Sequence, residues 1–445
     1  MNTTNMKQIM ARAFVAALLA GLAACGGGGG GSSSTSATGN TTSNSTTTTP
    51  PATSTTATTN TVSSATPTAT PTANTAANTV PVVVSFTQFN RANSPLASVT
   101  ICTAGTGATA NCSTIDNVLV DTESFGLRLF ASAIPSSTLN TLNAQTQTST
   151  GATIAECALF GSGYTWGTVR NVDLKMSGEV AQNVPIQVVS DSTLAASAPS
   201  ACQQQPVLAQ PTDLGANGIL GVGVAPQDCG GQCVSNSPAG TYYACSGTSC
   251  GVANEPLAQQ VGNPVQFFAA DNNGVVLEMP AVGSTGAVSS TGTLVFGIDT
   301  QANNTLAGAG ATVLGTDLSG DFTATYNGVT YTSNAFFDSG SSVLFFQDSS
   351  IGSSALKYYI PSTTLSRSVS IAGTNLVTAT VDFNVANANT LFATGNYAFN
   401  DMAASMTSVF DMGMPFFYGR HVYYGITGTA SAGGGTGPYV AFTSS

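Results

Sequence analysis

The chain has 445 residues, of which 42% are hydrophobic and only 7% are charged, and its formal net charge is −11. That length allows one large two-lobed domain or two smaller ones. Nine Lys and Arg residues against 20 Asp and Glu residues exclude a nucleic-acid partner and a polybasic membrane-binding patch, because both need clustered positive charge.

Residues 1–25 have the order of an export signal. Lys7 and Arg12 precede an apolar run at 13–20, which is too short to span a bilayer, and the run Leu-Ala-Ala then ends at Cys25. This ending resembles a bacterial lipobox, which implies that Cys25 carries the lipid anchor; an ordinary signal cleavage with an incidental Cys25 is the alternative. Because no Asp follows Cys25, we expect a lipoprotein of the bacterial cell envelope, on the outer membrane rather than the inner one.

The next segment, 26–79, has a composition typical of a disordered tether. It has no charged residue and no apolar residue larger than Val, and it begins with the six glycines at 26–31. Such a segment buries too little apolar surface to offset the entropy lost on ordering. The sequence therefore predicts that the folded part begins near residue 80.

Eight cysteines remain after Cys25, an even number that predicts up to four disulfides in an exported protein. Cys102 and Cys112 flank a short turn and are expected to close one hairpin. The pairing of the others stays open, and a zinc site is disfavoured because no histidine lies near them. The remaining candidates are Cys157, Cys202, Cys229, Cys233, Cys245 and Cys250.

From residue 80 onward, short β-branched and aromatic runs alternate with Gly, Asn, Ser and Pro, which is an all-β pattern. Brief helices are predicted only near 136–143 and 254–261. The runs that predict strands are 80–89, 117–120, 184–190, 275–279, 293–298, 322–331, 335–346, 368–383 and 421–426.

One internal repeat divides this region. Residues 119–127 (LVDTESFGL) align without gaps on residues 336–344 (FFDSGSSVL), which places Asp121 and Asp338 at the same position of each copy. A Gly-containing strand follows each copy, with Gly221 in the first and Gly413 in the second. Two copies of the same arrangement predict two similar lobes, 80–280 and 281–445.

These motifs resemble the pepsin-like aspartic protease superfamily. Asp338-Ser339-Gly340-Ser341 matches its active-site loop, and 217–221 (NGILG) matches the strand that braces the first loop. Segments 292–299, 416–424 and 440–442 resemble later strands in the expected order. The chain also resembles an uncharacterised family of bacterial putative lipoproteins. The resemblance implies a double β-barrel of two lobes around a central cleft, with Asp121 and Asp338 as the catalytic pair.

The resemblance also implies roles around this pair. Two facing carboxyls cannot both ionise, so they share a proton; one activates a water and the other donates to the peptide carbonyl. Thr122 and Ser339 would lock the loops together, and the backbone N–H groups of Glu123 and Gly340 would hold the carboxylates. The expected partner is a polypeptide in the interlobe cleft of a monomer, with no cofactor and no metal.

Three departures from the family pattern affect this expectation. Glu123 replaces the glycine of the first loop, and its carboxylate would add a third negative charge if it pointed at the pair. Phe160 occupies the flap position where the family has Tyr, so the phenol is missing unless Tyr164 substitutes for it. Asp411 lies in the second bracing strand, which is usually apolar.

Other functional classes stay open on the sequence alone. An inactive pepsin-like scaffold could bind peptide or envelope components, and a surface adhesin or sugar-binding protein would also suit the long neutral tether and the disulfides. Paired carboxylates can hydrolyse glycosides too, at spacings of about 5 Å or roughly 6.5–9.5 Å. His421 is the only histidine and no G-x-S-x-G motif is present, so a serine-hydrolase triad is not favoured.

Overall fold

The computed structural model describes residues 61–235 and 240–443, with 44% of residues in strands and 8% in helices. The expected all-β fold class is confirmed. In chain order, the strands are β1 Thr61–Ser63, β2 Thr79–Val84, β3 Leu96–Thr103, β4 Ser113–Asp121, β5 Phe125–Phe130, β6 Thr153–Phe160, β7 Gly163–Met176, β8 Glu179–Val189, β9 Gly218–Val222, β10 Tyr242–Ser246, β11 Ser249–Val252, β12 Gly274–Met279, β13 Ser290–Phe296, β14 Thr312–Gly315, β15 Phe322–Tyr326, β16 Val329–Asp338, β17 Leu344–Phe346, β18 Leu365–Ala372, β19 Thr378–Val385, β20 Ala403–Ser405, β21 Phe410–Gly413, β22 Arg420–Gly425, β23 Ala430–Ser431, β24 Gly435–Thr436 and β25 Tyr439–Thr443.

Helices are few and short within the described ranges. They are α1 Ser136–Leu139, α2 Pro211–Leu214, α3 Gln232–Ser235 and α4 Ala388–Ala393, with 3₁₀ turns at Ala131–Ala133, Leu257–Gln259, Pro264–Phe267 and Met414–Phe416. The helix predicted near 136–143 is therefore present as α1, whereas the segment 254–261 contains only a 3₁₀ turn. No helix in these ranges is both long and apolar enough to cross a bilayer.

The strands of the first half form a closed barrel. Strands β3, β4, β9, β5, β8 and β7 pair in that order, and β7 also pairs with β3, which closes a ring of six. Strands β5 and β9 are buried along their whole length, because side chains pack against them on both faces. This barrel fixes the end of β4, where Asp121 lies.

An interlobe sheet joins the two halves. It consists of β2, β13, β12, β22, β25 and β14, which continue the sheet of the barrel beyond β3. The predicted lobe boundary at 280–281 falls between β12 and β13, which pair with each other. A second sheet, in the order β1-β19-β18-β15-β16-β21-β17-β20, belongs to the second half apart from β1. It places Asp338 at the end of β16.

All eight predicted cysteines form disulfides, four in number. The expected bond between Cys102 and Cys112 is present. The pairs left open by the sequence are Cys157–Cys202, Cys229–Cys233 and Cys245–Cys250. These bonds settle the choice between disulfides and a zinc site. The lipidation candidate, Cys25, lies outside the described residues, as do the signal segment and the tether up to residue 60.

The prediction of a tether over 26–79 is wrong for its last part. Residues 61–78 form an N-terminal strap that lies on the folded lobes: β1 pairs in parallel with β19. The Arg420 guanidinium donates to the Ser64 carbonyl at 2.6 Å, and the Ala69 N–H donates to the Gly419 carbonyl at 2.8 Å. Composition misled here because backbone groups, rather than large apolar side chains, hold the strap in place.

A buried carboxylate anchors the hairpin that carries the first disulfide. Asp173 on β7 is fully buried and accepts backbone N–H groups from Gly105 (3.0 Å), Thr106 (2.7 Å), Ala108 (3.2 Å) and Asn183 (2.9 Å). Burial opposes ionisation, but these four donors outweigh it and lower the pKa of Asp173. The carboxylate therefore stabilises the fold.

Replacing Asp173 by Asn is expected to lower the free energy of unfolding by about 2–3 kcal/mol at pH 7, because buried donors lose a charged acceptor. Since the folded-state pKa is depressed, this contribution is present above the unfolded pKa of about 4 and is lost as pH falls through the folded value. Denaturant titrations at pH 7, 4 and 2.5 should show the difference shrinking with acidification. Asp116→Asn, which removes an exposed carboxylate, is the control; an equal loss at every pH would contradict the assignment.

Candidate active site

The two halves build the same strand arrangement around one acidic residue each. Asp121 ends β4 and pairs with Gly221 of the parallel strand β9, and Asp338 ends β16 and pairs with Gly413 of the parallel strand β21. A Cβ on Gly221 would lie 2.6 Å from a backbone nitrogen of β5, and one on Gly413 would lie 2.2 Å from a backbone oxygen just before β17. Glycine is required at both places because backbones approach closely.

Each carboxyl accepts hydrogen bonds from two donors, and these donors occupy the same positions relative to the Asp in both loops. The second residue after each Asp donates its backbone N–H and the third donates its hydroxyl. The donors are Glu123 N (3.0 Å) and Ser124 Oγ (2.6 Å) for Asp121, and Gly340 N (2.7 Å) and Ser341 Oγ (2.7 Å) for Asp338. The similarity of the two halves predicted from the repeat therefore extends to individual hydrogen bonds.

Thr122 and Ser339 connect the two loops. The Ser339 N–H donates to Thr122 Oγ1 at 3.0 Å, and that hydroxyl donates to the Phe337 carbonyl at 3.2 Å. The Ser339 hydroxyl donates to the Val120 carbonyl at 2.7 Å. Both side chains are almost fully buried. These bonds cross between the lobes, so the position of each carboxyl depends on the opposite loop.

The two carboxyls lie together beside Gly340. A Cβ on this glycine would lie 2.9 Å from Cγ of Asp121 and 3.1 Å from Oδ1 of Asp338. Burial, the negative charge of Asp121 and the hydrogen bond that protonated Asp338 donates to the Asp121 carboxylate raise the pKa of Asp338, although Ser341 opposes the shift. The pair therefore shares one proton. Carboxyls in direct contact leave no room for the spacing of about 5 Å or more that glycoside hydrolysis needs.

Glu123 takes the place of a glycine without disturbing the carboxylate it supports. Its backbone N–H still donates to Asp121, and its half-buried side chain reaches the turn at Gly320 in the second half. Burial first, then the negative charges of Asp321, Asp338 and Asp121, raise the pKa of Glu123 well above its usual value. These causes favour the neutral form of the Glu123 side chain and oppose the third charge considered from the sequence.

Two further buried acids lie near the active-site loops, Asp411 beside Asp338 and Asp321 beside Glu123. Asp411 on β21 is 4% exposed, and burial together with the charge of Asp338 raises its pKa well above the usual range, while a hydrogen bond with Ser341 opposes the shift. Asp321 is 7% exposed, and burial raises its pKa to about 8, with a contribution from Asp317. Sequence reasoning singled out Asp411 but missed Asp321, because no motif surrounds it and only the fold brings its turn to the site.

The flap hairpin β6–β7 places its two predicted residues on opposite faces. Phe160, next to the hairpin turn, packs near Leu208 and lies under the Arg128 guanidinium, 5.5 Å from the ring centroid. Tyr164 is buried in a cluster with the disulfide Cys157–Cys202. Tyr164 therefore does not substitute for the missing phenol, because its ring faces away from the side that Phe160 occupies. In the described ranges no group of three or more His, Cys, Asp or Glu is arranged to hold a metal ion.

Comparison with known proteins identifies the family of this chain. Residues 74–442 match the model of a family described as "Protein of unknown function (DUF3443)". The crystal structure of an aspartic proteinase from Irpex lacteus is similar over 83% of this chain and 98% of that chain, with 16% sequence identity and a TM-score of 0.44. No curated protein matches the sequence. None of these comparisons assigns a substrate or an activity to the chain.

Proposed function

The chain belongs to the DUF3443 family, and we propose that this member is a monomeric aspartic endopeptidase that cleaves an extended polypeptide in its interlobe cleft. The observation that carries the proposal is the hydrogen-bonded carboxyl pair of Asp121 and Asp338, held by equivalent donors from two symmetric loops. A structural role alone would not require two like charges in contact, since their repulsion opposes folding.

The chemistry follows from the shared proton. The ionised carboxyl takes a proton from a water, whose oxygen attacks the peptide carbonyl, while the neutral carboxyl donates its proton to the carbonyl oxygen. The carboxyl that took the water's proton then donates it to the leaving nitrogen, and the other carboxyl takes a proton from a hydroxyl of the tetrahedral intermediate. The C–N bond breaks as the carbonyl re-forms, and the pair again holds one proton. The N–H groups of Glu123 and Gly340 keep the carboxyls oriented throughout.

The proposal is tested with the purified full chain. We expect it to cleave denatured protein at acidic to neutral pH, where the pair holds one proton, with fragments identified by mass spectrometry. Cleavage should disappear in both Asp121→Asn and Asp338→Asn. Absence of any cleavage between pH 3 and 8 that depends on both residues would refute the proposal.

An inactive scaffold that binds peptide or envelope components is the second candidate. It is favoured by Phe160, which packs under Arg128 and provides no phenol at the flap. The variant Glu123→Gly distinguishes the peptidase from the inactive scaffold. A wild-type protein that binds peptide without cleaving it, with activity appearing only in Glu123→Gly, would support a scaffold inactivated by one substitution.

Gly340→Ala is expected to lower kcat/KM by about 10²-fold with little change in stability. The added Cβ meets both carboxyls at about 3 Å and pushes them apart, and a misplacement of about 1 Å has a cost of this size. Gly352→Ala is the matched control, because a Cβ there has no atom within 4 Å. Peptide cleavage and thermal unfolding of both variants provide the comparison; full activity of Gly340→Ala would mean that close contact is unnecessary.

We also propose that the enzyme is held in the bacterial cell envelope by a lipid on Cys25, on the outer membrane. The support is the run Leu-Ala-Ala before Cys25, the signal-like segment ahead of it and the Gly that follows. Metabolic labelling with a fatty acid should mark the wild type and leave Cys25→Ala unlabelled; equal labelling of both would contradict the anchor.

A further inference from the structure

Glu123 and Asp321 approach each other across the two lobes. The Glu123 carboxyl faces the turn before β15: a Cβ on Gly320 would lie 3.2 Å from its Oε2 and 3.4 Å from its Oε1. Among the charges that act on Glu123, Asp321 contributes most, ahead of Asp338. The turn is fixed by Asp317, whose Oδ1 accepts the Asp321 N–H at 3.1 Å. One carboxyl from each lobe therefore lines a site next to the catalytic pair.

Neither carboxyl has a positively charged partner. The ion pairs formed within residues 61–235 and 240–443 involve other acids, and none includes Glu123 or Asp321. Asp321 is 93% buried, yet burial and Asp317 alone shift its pKa, with no hydrogen bond to lower it. A buried carboxyl without a donor is costly, and a cation that entered the site would remove that cost.

We propose that Glu123 and Asp321 form an acidic subsite that binds the lysine or arginine side chain of a polypeptide beside the Asp121–Asp338 pair. The inference rests on the proposed function in taking a polypeptide as the ligand. It adds the substrate class, namely extended chains with a basic residue near the bond to be cleaved. A guanidinium fits two carboxyls from opposite sides because its five N–H groups form a planar fork.

The proton balance of the subsite distinguishes this role from a structural one. The groups that act on the two carboxyls are almost all acidic: Asp121, Asp338, Asp411 and the phenol of Tyr424 around Glu123, and Asp317 beside Asp321. Burial and these neighbouring acids raise the pKa values of both carboxyls, which favours their protonated forms in the empty subsite, and an incoming cation favours release of those protons. Binding of a basic side chain should release protons and should strengthen as pH rises, whereas a neutral side chain should do neither.

The test compares two peptides that differ only in arginine or citrulline at one position, scanned along an eight-residue sequence. Calorimetry with the full-length Asp121→Asn protein measures affinity, and buffers of different ionisation enthalpy measure proton release. At pH 7 we expect the arginine peptide to bind at least about tenfold more tightly at one position, equivalent to about 1.4 kcal/mol, with proton release. Glu123→Gln or Asp321→Asn in the same background should reduce the preference below about threefold, whereas Asp116→Asn should keep it.

The outcomes separate this inference from the proposed function. Arginine preference without cleavage by the wild type would support the subsite and refute the peptidase. Cleavage without arginine preference, or a preference that survives in the Glu123→Gln/Asp321→Asn double variant, would refute the subsite alone. Absence of binding by either peptide would overturn both. Glu123→Gln by itself removes one of the two carboxyls. The test therefore stays decisive even if Asp321→Asn does not fold.

Discussion

Replacing Asp121 or Asp338 by Asn, one at a time, is expected to reduce peptide cleavage by about 10³- to 10⁴-fold, the upper range for loss of a general acid or base. An amide cannot take a proton from the attacking water, and it cannot share the single proton that keeps the other carboxyl ready to act. Both variants should lose activity equally because each carboxyl has the same pair of supporting donors.

Asp338→Asn should not lose stability. Burial and Asp121 raise the pKa of Asp338, so its ionisation disfavours the folded state as pH rises above about 4. Asp338→Asn should therefore be as stable as the wild type at pH 4 and more stable at pH 7, which denaturant titration can measure. Asp116→Asn should match the wild type in cleavage. More than a tenth of wild-type activity in either dyad variant would contradict the assignment.

Removing the charge of Arg128 is expected to have the largest effect on stability. Arg128 is 2% exposed on β5, where its NH2 donates to the fully buried Glu156 carboxyl at 2.8 Å and also pairs with Asp228. Its NH1 donates to the Phe125 carbonyl at 2.8 Å, and its guanidinium covers the flap residue Phe160. The cluster therefore connects the first active-site loop to the flap strand.

Arg128→Met should lower the free energy of unfolding at pH 7 by about 3–5 kcal/mol, because Glu156 is left buried without its partner. Burial already raises the pKa of Glu156 to about 8 even though Arg128 opposes the shift. Without Arg128 the folded-state pKa rises further, so the part of the loss that comes from ionisation should grow as pH rises above about 8.

A double variant separates charge from packing. Arg128→Met/Glu156→Gln removes the unpaired buried carboxyl and should recover most of the stability that Arg128→Met loses, as measured by denaturant titration. Arg367→Met is the control, because the Arg367 side chain is 24% exposed in its ion pair. It should lower the free energy of unfolding by less than about 1 kcal/mol. A loss below about 1 kcal/mol for Arg128→Met, or no recovery in the double variant, would show that the pair is not held as described.

The sequence predicted those features of the site that are local. The repeat around Asp121 and Asp338 identified both loops, because each loop is a short segment whose donors follow the Asp by two and three residues. Gly221 and Gly413 were also identifiable, since close backbone contact permits no other residue there. The alternating strands allowed the all-β class to be predicted for the same reason: burial repeats every second residue, as in β19.

Features that depend on distant contacts could not be predicted. Residues 61–78 have the composition of a tether, yet the edge of β19, the Arg420 guanidinium and the Gly419 carbonyl order them. No motif surrounds Asp321, and only the fold of the second half brings its turn next to Glu123. The buried pair Arg128–Glu156 joins β5 to β6. Tyr164 faces away from the side that Phe160 occupies because of the register of the β6–β7 hairpin.

The central claim is that Asp121 and Asp338 hold one proton between them. Carbon-13 NMR of the aspartate carboxyls, assigned by difference from Asp121→Asn and Asp338→Asn, follows their titration directly. The account predicts two apparent pKa values for the pair, separated by several units, and a return of the surviving carboxyl toward an ordinary value in each variant. Two carboxyls that titrate independently near pH 4 in the wild type would contradict it.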